Sequence, residues 1–119
     1  MQPTHRLIIE DSGETFVPRL SRAMTPWQRM RGLLGRDGLE PDEGLLIERC
    51  SSIHMFFMRF PIDVAYLDAD WRVVKKVARL APWRLSGCWR ASHTLELPAG
   101  ALDVARLPLG SHLLLREID

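Results

Sequence analysis

The chain has 119 residues, of which 46% are hydrophobic and 26% charged, the balance of an ordinary globular protein. Sixteen basic and fifteen acidic residues leave a net charge of +1. Bulk charge therefore gives no argument for nucleic acid or an anionic membrane surface as a partner. The length fits one domain over residues 1–119.

The N-terminal sequence lacks a basic stretch followed by an apolar segment, and no apolar run approaches the ~20 residues that cross a bilayer. We therefore expect no signal peptide, no membrane insertion and a cytoplasmic location. Two cysteines, Cys50 and Cys88, are too few for a disulfide framework, which agrees with a reducing compartment.

The first third of the sequence predicts a hairpin and then a helix. Residues 5–10 and 15–20 are predicted to pair as strands across a short polar turn. A helix is predicted over about 25–34, because Thr25 suits its N-cap and Gly35 its end. One face of this helix is expected to pack on the core and carries Trp27, Met30 and Leu34.

The rest of the sequence predicts mostly short strands. Residues 53–60 carry apolar side chains at both alternating sets of positions, which predicts a strand buried on both faces. Residues 79–93 show no periodic pattern of apolar residues and are interpreted as an extended loop. Residues of about 101–107 are predicted to form one or two helical turns. The predicted strands are 45–47, 53–60, 62–67, 71–78, 94–97 and 111–118.

Seven or so short strands, one clear helix and a short second one indicate a mainly β fold. We expect a small domain that resembles a β-barrel, either closed or partly open.

Four motifs follow one another along the chain. They are Arg31–Arg36 (RGLLGR), Gly44–Leu46 (GLL), Ile53–Asp63 (IHMFFMRFPID) and Leu95–Gly100 (LELPAG). In this order they resemble the prokaryotic family catalogued as domain of unknown function 192, over nearly the whole chain from about Met24. The resemblance implies a small, mainly β, barrel-like domain with a short helix or two, and it implies no activity.

The chain departs from the family pattern in two respects. Ser111 follows the glycine of the last turn, where the family commonly has an acid. Many members look exported, whereas we expect no leader here, so the resemblance is a weak basis for a periplasmic role.

Four polar residues lie in the most apolar motifs: His54, Arg59, Asp63 and Glu96. A buried arginine needs a carboxylate, and Asp63 or Glu96 could pair with Arg59 to tie two strands together. The other interpretation is catalytic. Histidine as a residue type changes charge near neutral pH, so His54 could act with Arg59 and one of the carboxylates.

Two Trp–Arg pairs lie in the predicted loop, Trp83-Arg84 and Trp89-Arg90. Indoles and guanidinium groups stack on rings, and arginine binds anions, which makes these four residues candidates for ligand binding. The alternative is that the tryptophans cap the open end of the barrel and the arginines face water.

Two cysteines and two histidines, Cys50, His54, Cys88 and His93, form a set that zinc accepts. Their spacing departs from the usual pattern of zinc sites, so free thiols and ordinary histidines are the favoured interpretation. We expect neither a metal nor another cofactor.

These observations favour an uncharacterised barrel-like protein that serves as a small binding or accessory module. Its partner is expected to be a small molecule or a protein, and not a nucleic acid. The competing hypothesis is an enzyme that uses His54, Arg59 and a carboxylate on an anionic or carbohydrate-like small molecule.

Overall fold

The computed structural model describes residues 2–104 and 107–118, and this part of the chain contains nine strands and two short helices. The strands are β1 (His5–Ile9), β2 (Thr15–Arg22), β3 (Glu43–Glu48), β4 (Ser52–His54), β5 (Ile62–Leu67), β6 (Val73–Leu80), β7 (Leu85–Gly87), β8 (His93–Pro98) and β9 (Leu113–Glu117). The helices are α1 (Pro26–Arg31) and α2 (Ala101–Val104). Neither described helix has the length and apolar character needed to cross a membrane.

Seven strands form one curled sheet in the order β6-β5-β8-β3-β2-β1-β9. All neighbours are antiparallel except β2 and β3, which run parallel. The two edges meet at one end, where the Gly110 N–H donates to the Val73 carbonyl (2.7 Å) and the Val73 N–H to the Ser111 carbonyl (2.9 Å). The expected mainly β, barrel-like fold is confirmed.

Helix α2 lies beside the edge strand β6, and a buried carboxyl group fastens this region. Asp63 on β5 is fully buried. Its carboxylate accepts hydrogen bonds from the backbone N–H groups of Arg79 (2.8 Å), Gly100 (3.1 Å) and Leu102 (2.9 Å). The side chain thus joins β6 and the start of α2 to strand β5.

Buried apolar side chains form two clusters, one on each face of the curled sheet. The inner cluster fills the barrel and comprises Leu7, Ile9, Val17, Leu20, Leu46, Ala65, Leu67, Val73, Leu95, Leu97, Leu107 and Leu113. The outer cluster lies between the sheet and the segments that cover it, and comprises Ala23, Leu33, Leu45, Ile47, Met55, Met58, Ile62, Val64, Tyr66 and Leu80. All six residues of β5 are buried as a result.

Helix α1 begins as predicted but ends early. Thr25 is the N-cap, its hydroxyl accepts from the Gln28 N–H (3.1 Å), and the Gln28 side chain accepts in return from the Thr25 N–H. The helix stops at Gly32, so the prediction of a helix to residue 34 is wrong. Trp27 was expected in the core and is 63% exposed, because a six-residue helix cannot turn one long face to the sheet. The Met30 side chain lies outside the described part.

The predicted strand over residues 53–60 is wrong beyond His54. The backbone turns there: the Met58 N–H donates to the Met55 carbonyl (3.2 Å), and Phe57 has φ +65°. The Trp83 N–H also donates to the Met55 carbonyl (2.7 Å). Met55 and Met58 are buried and Phe57 is exposed, so the density of apolar residues reflects a folded turn and not a two-sided strand.

The segment 79–93, predicted as loop, contains β7, which pairs with β4 in a separate two-stranded ribbon. Both predicted hairpins are confirmed, β1 with β2 and β5 with β6. The β5–β6 turn lacks glycine, and Asp68 supports it by accepting from the N–H groups of Asp70 and Arg72. For the predicted second helix, α2 covers residues 101–104 and residues 105–106 lie outside the described part.

Replacement of Asp63 by Ala should lower the free energy of unfolding by about 3 kcal/mol or more, because three buried backbone donors would lose their acceptor. Urea denaturation measures this change. Asp37→Ala is the matched control. The Asp37 side chain is 89% exposed, so its loss should change stability by about 0.5 kcal/mol or less. Equal losses in the two variants would contradict the anchoring role of Asp63.

Candidate functional site

A small cleft of about 190 Å³ lies on the outer face of the sheet, between α1 and strand β4. We call it the Glu96 cleft. Its polar lining comes from Arg29, Arg31, Cys50, Ser52, His54 and Glu96. The remaining lining consists of Gly32 and the apolar residues Leu33, Leu34, Ile47, Ile53, Met55 and Met58.

Glu96 on β8 supplies the only carboxyl group of this lining. It pairs with Leu45 on β3 and Val64 on β5, so it lies at the centre of the sheet and points outward, opposite to Leu95 and Leu97. The residue is 6% exposed, and no described residue makes a hydrogen bond to its carboxyl group. Burial raises the pKa of Glu96 to about 7, because the ionised form is poorly solvated there.

The end of α1 covers the carboxyl group of Glu96. Gly32 has φ +52° and ψ −122°, a conformation that glycine adopts and other residues avoid. A Cβ at Gly32 would lie 3.9 Å from Glu96 Oε1. Arg29 holds the helix down by donating from Nη2 to the Arg49 carbonyl (2.6 Å). The Arg31 Nε donates only weakly, to the Leu34 carbonyl at 3.4 Å.

The opposite wall carries His54, Cys50 and Ser52. His54 Nδ1 accepts from the Phe56 N–H (3.3 Å), and the imidazole stacks on the Phe56 ring with centroids 4.9 Å apart. The Cys50 thiol donates to the Ser52 carbonyl (3.1 Å). The thiol and the imidazole are therefore each engaged with a backbone group rather than with one another.

Of the four polar residues singled out in the sequence, the structure brings only His54 and Glu96 into one cleft. The predicted pairing of Arg59 with Asp63 or Glu96 is wrong. Arg59 forms an exposed ion pair with Asp37 (2.9 Å), because the turn at residues 55–58 carries it out of the buried layer. Asp63 points to the inner side of β5 and is occupied by backbone amides.

The two Trp–Arg pairs have different surroundings. Trp83 (φ +70°) lies against Phe57 with ring centroids 4.8 Å apart and against Phe56 at 6.0 Å. We call Phe56, Phe57 and Trp83 the aromatic shelf, and the His54–Phe56 stack joins it to the cleft. Trp89 is 91% exposed and takes part in none of these contacts. Arg84 and Arg90 are exposed, and their role in binding stays a prediction.

The cysteines and histidines considered for zinc do not converge. Within the described residues, no three His, Cys, Asp or Glu side chains are grouped closely enough to hold a metal ion. His93 packs on Trp71 with ring centroids 4.6 Å apart, and burial lowers its pKa. Cys50 and Cys88 are both free thiols.

Sequence reasoning missed Arg29, Arg31 and Ser52 as lining residues. The motif RGLLGR did contain a signal, since Gly32 interrupts a predicted helix and implies a close approach of its backbone to another group. That group is Glu96, which no spacing along the chain links to Gly32.

A curled seven-stranded sheet with a small cleft on its outer face defines a barrel-like β domain with a candidate ligand site. The family model for domain of unknown function 192, described as Uncharacterized ACR, matches residues 7–115. The chain belongs to this family, as the four motifs indicated.

Two archaeal relatives support this assignment. A UPF0127 protein of Thermococcus sibiricus is 32% identical over 118 residues, which cover 90% of this chain and 72% of the relative. A UPF0127 protein of Pyrococcus horikoshii is 39% identical over 64 residues, covering 53% of this chain and 55% of the relative.

Two solved structures share the fold. A Sinorhizobium meliloti protein, assigned by its name provisionally to transcription regulation, has a TM-score of 0.81 at 25% identity, covering 96% of this chain and 93% of its own. A Novosphingobium aromaticivorans protein of unknown function has a TM-score of 0.78 at 21% identity, and the match covers 93% of this chain and 83% of that protein.

The raised pKa of Glu96 predicts a pH-dependent contribution to stability. The folded state keeps its proton up to about pH 7, whereas the unfolded chain loses it near 4.5. The contribution is therefore fully present below 4.5 and is lost as the pH rises to about 7, a loss of about 3 kcal/mol. Unfolding free energies of the wild type and Glu96→Gln, measured across this range, should diverge accordingly. If the unfolding free energies of the two proteins change in parallel with pH, the raised pKa of Glu96 is refuted.

Replacement of Gly32 by Ala should lower the unfolding free energy by about 1–3 kcal/mol, since alanine would be strained at this φ and ψ. The new methyl group would meet its neighbours only at ordinary contact distance, so strain and not a clash is tested. Gly38→Ala is the control, because a Cβ there meets nothing within 4 Å and its φ is not left-handed. Denaturation curves that show equal stability for both variants would rule out strain at Gly32.

Proposed function

We propose that this protein is a small-molecule-binding module and that the Glu96 cleft is its binding site. One observation carries the proposal: the carboxyl group of Glu96, a residue only 6% exposed, receives no hydrogen bond from the described residues and lines an accessible cleft. Buried polar groups are normally paired, and unpaired ones concentrate at sites where a ligand completes the pairing.

The energetics support this reading. A buried carboxyl group with no partner lowers the stability of the fold, whereas an apolar residue at position 96 would continue the surrounding outer cluster. Asp63 shows that the fold supplies three backbone donors where a carboxyl group serves the structure. A ligand with a hydrogen-bond donor would supply the partner that the described residues do not give to the Glu96 carboxyl group.

The geometry favours binding over the enzyme hypothesis. Of the residues considered for catalysis, Arg59 and Asp63 lie outside the cleft lining, which holds His54 and Glu96. The His54 imidazole accepts from the Phe56 N–H and makes no hydrogen bond to Glu96. His54 then serves as one wall of a binding site.

The aromatic shelf extends the same site. Phe57 and Trp83 are 72% and 58% exposed, yet backbone hydrogen bonds at Met55 fix the two turns that carry them. Exposed rings in fixed positions bind planar or sugar rings with little loss of conformational entropy. The shelf adjoins the cleft over His54 and Phe56, so a ligand that extends beyond the cleft would reach it. Recognition of a partner protein by the shelf stays a prediction.

The provisional name of the Sinorhizobium meliloti protein raises the question of DNA binding. The balance of sixteen basic and fifteen acidic residues argues against it here, because phosphate contacts dominate the affinity for DNA. The two described helices have six and four residues, which is short for insertion into a major groove. We therefore retain a small molecule as the partner.

A fragment screen followed by ¹H–¹⁵N NMR tests the proposal. Ligands should shift the amide signals of Gly32, Ser52 and His54 and raise the melting temperature of the protein. Glu96→Leu should abolish these shifts while raising the unfolding free energy at neutral pH by about 1–3 kcal/mol, since it removes an unpaired buried carboxyl group.

Thr94→Val on the same strand is the matched control. The Thr94 hydroxyl is buried and donates to the Cys50 carbonyl (2.8 Å), so its loss should destabilise the protein by about 1 kcal/mol. The proposal fails if the library produces no shifts at the cleft, or if Glu96→Leu binds fragments as well as the wild type does.

A further inference from the structure

We infer that the ligand of the Glu96 cleft is a small anion that carries a hydroxyl group, of the class of short-chain hydroxy acids. The hydroxyl group would contact the carboxyl group of Glu96, and the anionic group would contact Arg31. This inference rests on the proposed function and names the chemistry that the cleft recognises.

The deep end of the cleft selects a hydroxyl group. Glu96 is 6% exposed, lines the cleft and lacks a described hydrogen-bond partner. A hydroxyl group donates to the ionised carboxylate and accepts from the protonated acid, so it suits both states. A ligand carboxylate suits only the protonated state, since two carboxylates repel each other when both are ionised.

The charge of the lining selects against cations. Arg29 and Arg31 contribute two positive charges, and Glu96 contributes at most one negative charge. Arg29 already donates to the Arg49 carbonyl. Arg31 is exposed, and among the described residues only the Leu34 carbonyl, at 3.4 Å, accepts from it. Its guanidinium group therefore retains donors for an anion, which arginine binds well.

The size of the cleft limits the carbon skeleton. Its 190 Å³ is below the roughly 300–1,000 Å³ of sites for drug-sized ligands. Leu33, Met55 and Met58 also line it and offer no hydrogen-bond donor from their side chains. A chain of a few carbon atoms between a hydroxyl and an anionic group fits this arrangement.

Four probes of similar size separate the contributions by NMR titration of the whole chain. Glycolate carries both groups, acetate lacks the hydroxyl group, ethylene glycol lacks the charge, and ethanolamine replaces the anion with a cation. Glycolate should bind about tenfold more tightly than acetate or ethanolamine, a difference of about 1.4 kcal/mol. Ethanolamine binding as tightly as glycolate, or more tightly, would overturn the inference.

Two variants assign the contacts. Arg31→Gln should weaken glycolate and acetate alike by about tenfold and leave ethylene glycol unchanged. Arg116→Gln, an exposed arginine on β9 outside the cleft lining, is the matched control and should change none of them. Glu96→Leu should remove the preference for glycolate over acetate. Equal effects of the two arginine variants, or an intact glycolate preference in Glu96→Leu, would refute the assigned contacts.

The two proposals can fail separately. If fragments shift the cleft amides but glycolate does not, the ligand class is wrong and the binding function stands. If neither fragments nor any of the four probes shift these amides, both proposals are wrong.

Discussion

Burial of the central strands on both faces is the constraint on which the rest of this structure depends. Strands β3 and β5 carry apolar side chains inward to the barrel and outward to a second cluster, whereas β8 between them turns Leu95 and Leu97 inward and the buried polar residues Thr94 and Glu96 outward. The inner face is covered by closure of the sheet, but the outer face needs other segments. The parallel pairing of β2 and β3 requires a crossover, which places α1 over this face, and the ribbon of β4 and β7 covers the remainder.

These covering segments have little regular structure of their own. Helix α1 has six residues, and the strands of the ribbon have three each. They are held by side-chain capping at Thr25 and by backbone hydrogen bonds at Met55, not by long ladders. A cleft can open between such segments without disrupting the sheet beneath them. The site therefore lies where the fold is least constrained, as is usual for binding surfaces carried on a rigid scaffold.

The regular part of this fold could be predicted from the sequence, because alternation and turn residues are local signals. The covering layer could not be predicted in the same way. Phe57 looks like a core residue beside Met55 and Met58, and only the turn at these positions shows that it faces solvent. Strand β7 has no alternation to detect, since Leu85 is exposed and the strand exists through its pairing with β4.

The candidate site could be predicted only in part, because local sequence signals mark unusual residues but do not show where turns place them. Glu96 and His54 stood out as polar residues within apolar motifs, and the structure places both in the cleft. Arg59 stood out equally, but the turn at residues 55–58 carries it to the surface, where it pairs with Asp37. The direction of that turn is not visible in the pattern of apolar residues. Arg31 was not predicted as a lining residue, since the sequence of a helix does not show which part of a sheet the helix will cover.

Asp63 and Glu96 show how environment separates structural and functional carboxyl groups. They lie on the adjacent strands β5 and β8 and point to opposite faces of the sheet. Asp63 is buried and accepts from three backbone donors, so its carboxyl group stabilises the fold. Glu96 is buried without a described donor, and its ionisation opposes the fold. Any ligand that donates to Glu96 relieves this opposition, so binding and stability are coupled through one carboxyl group.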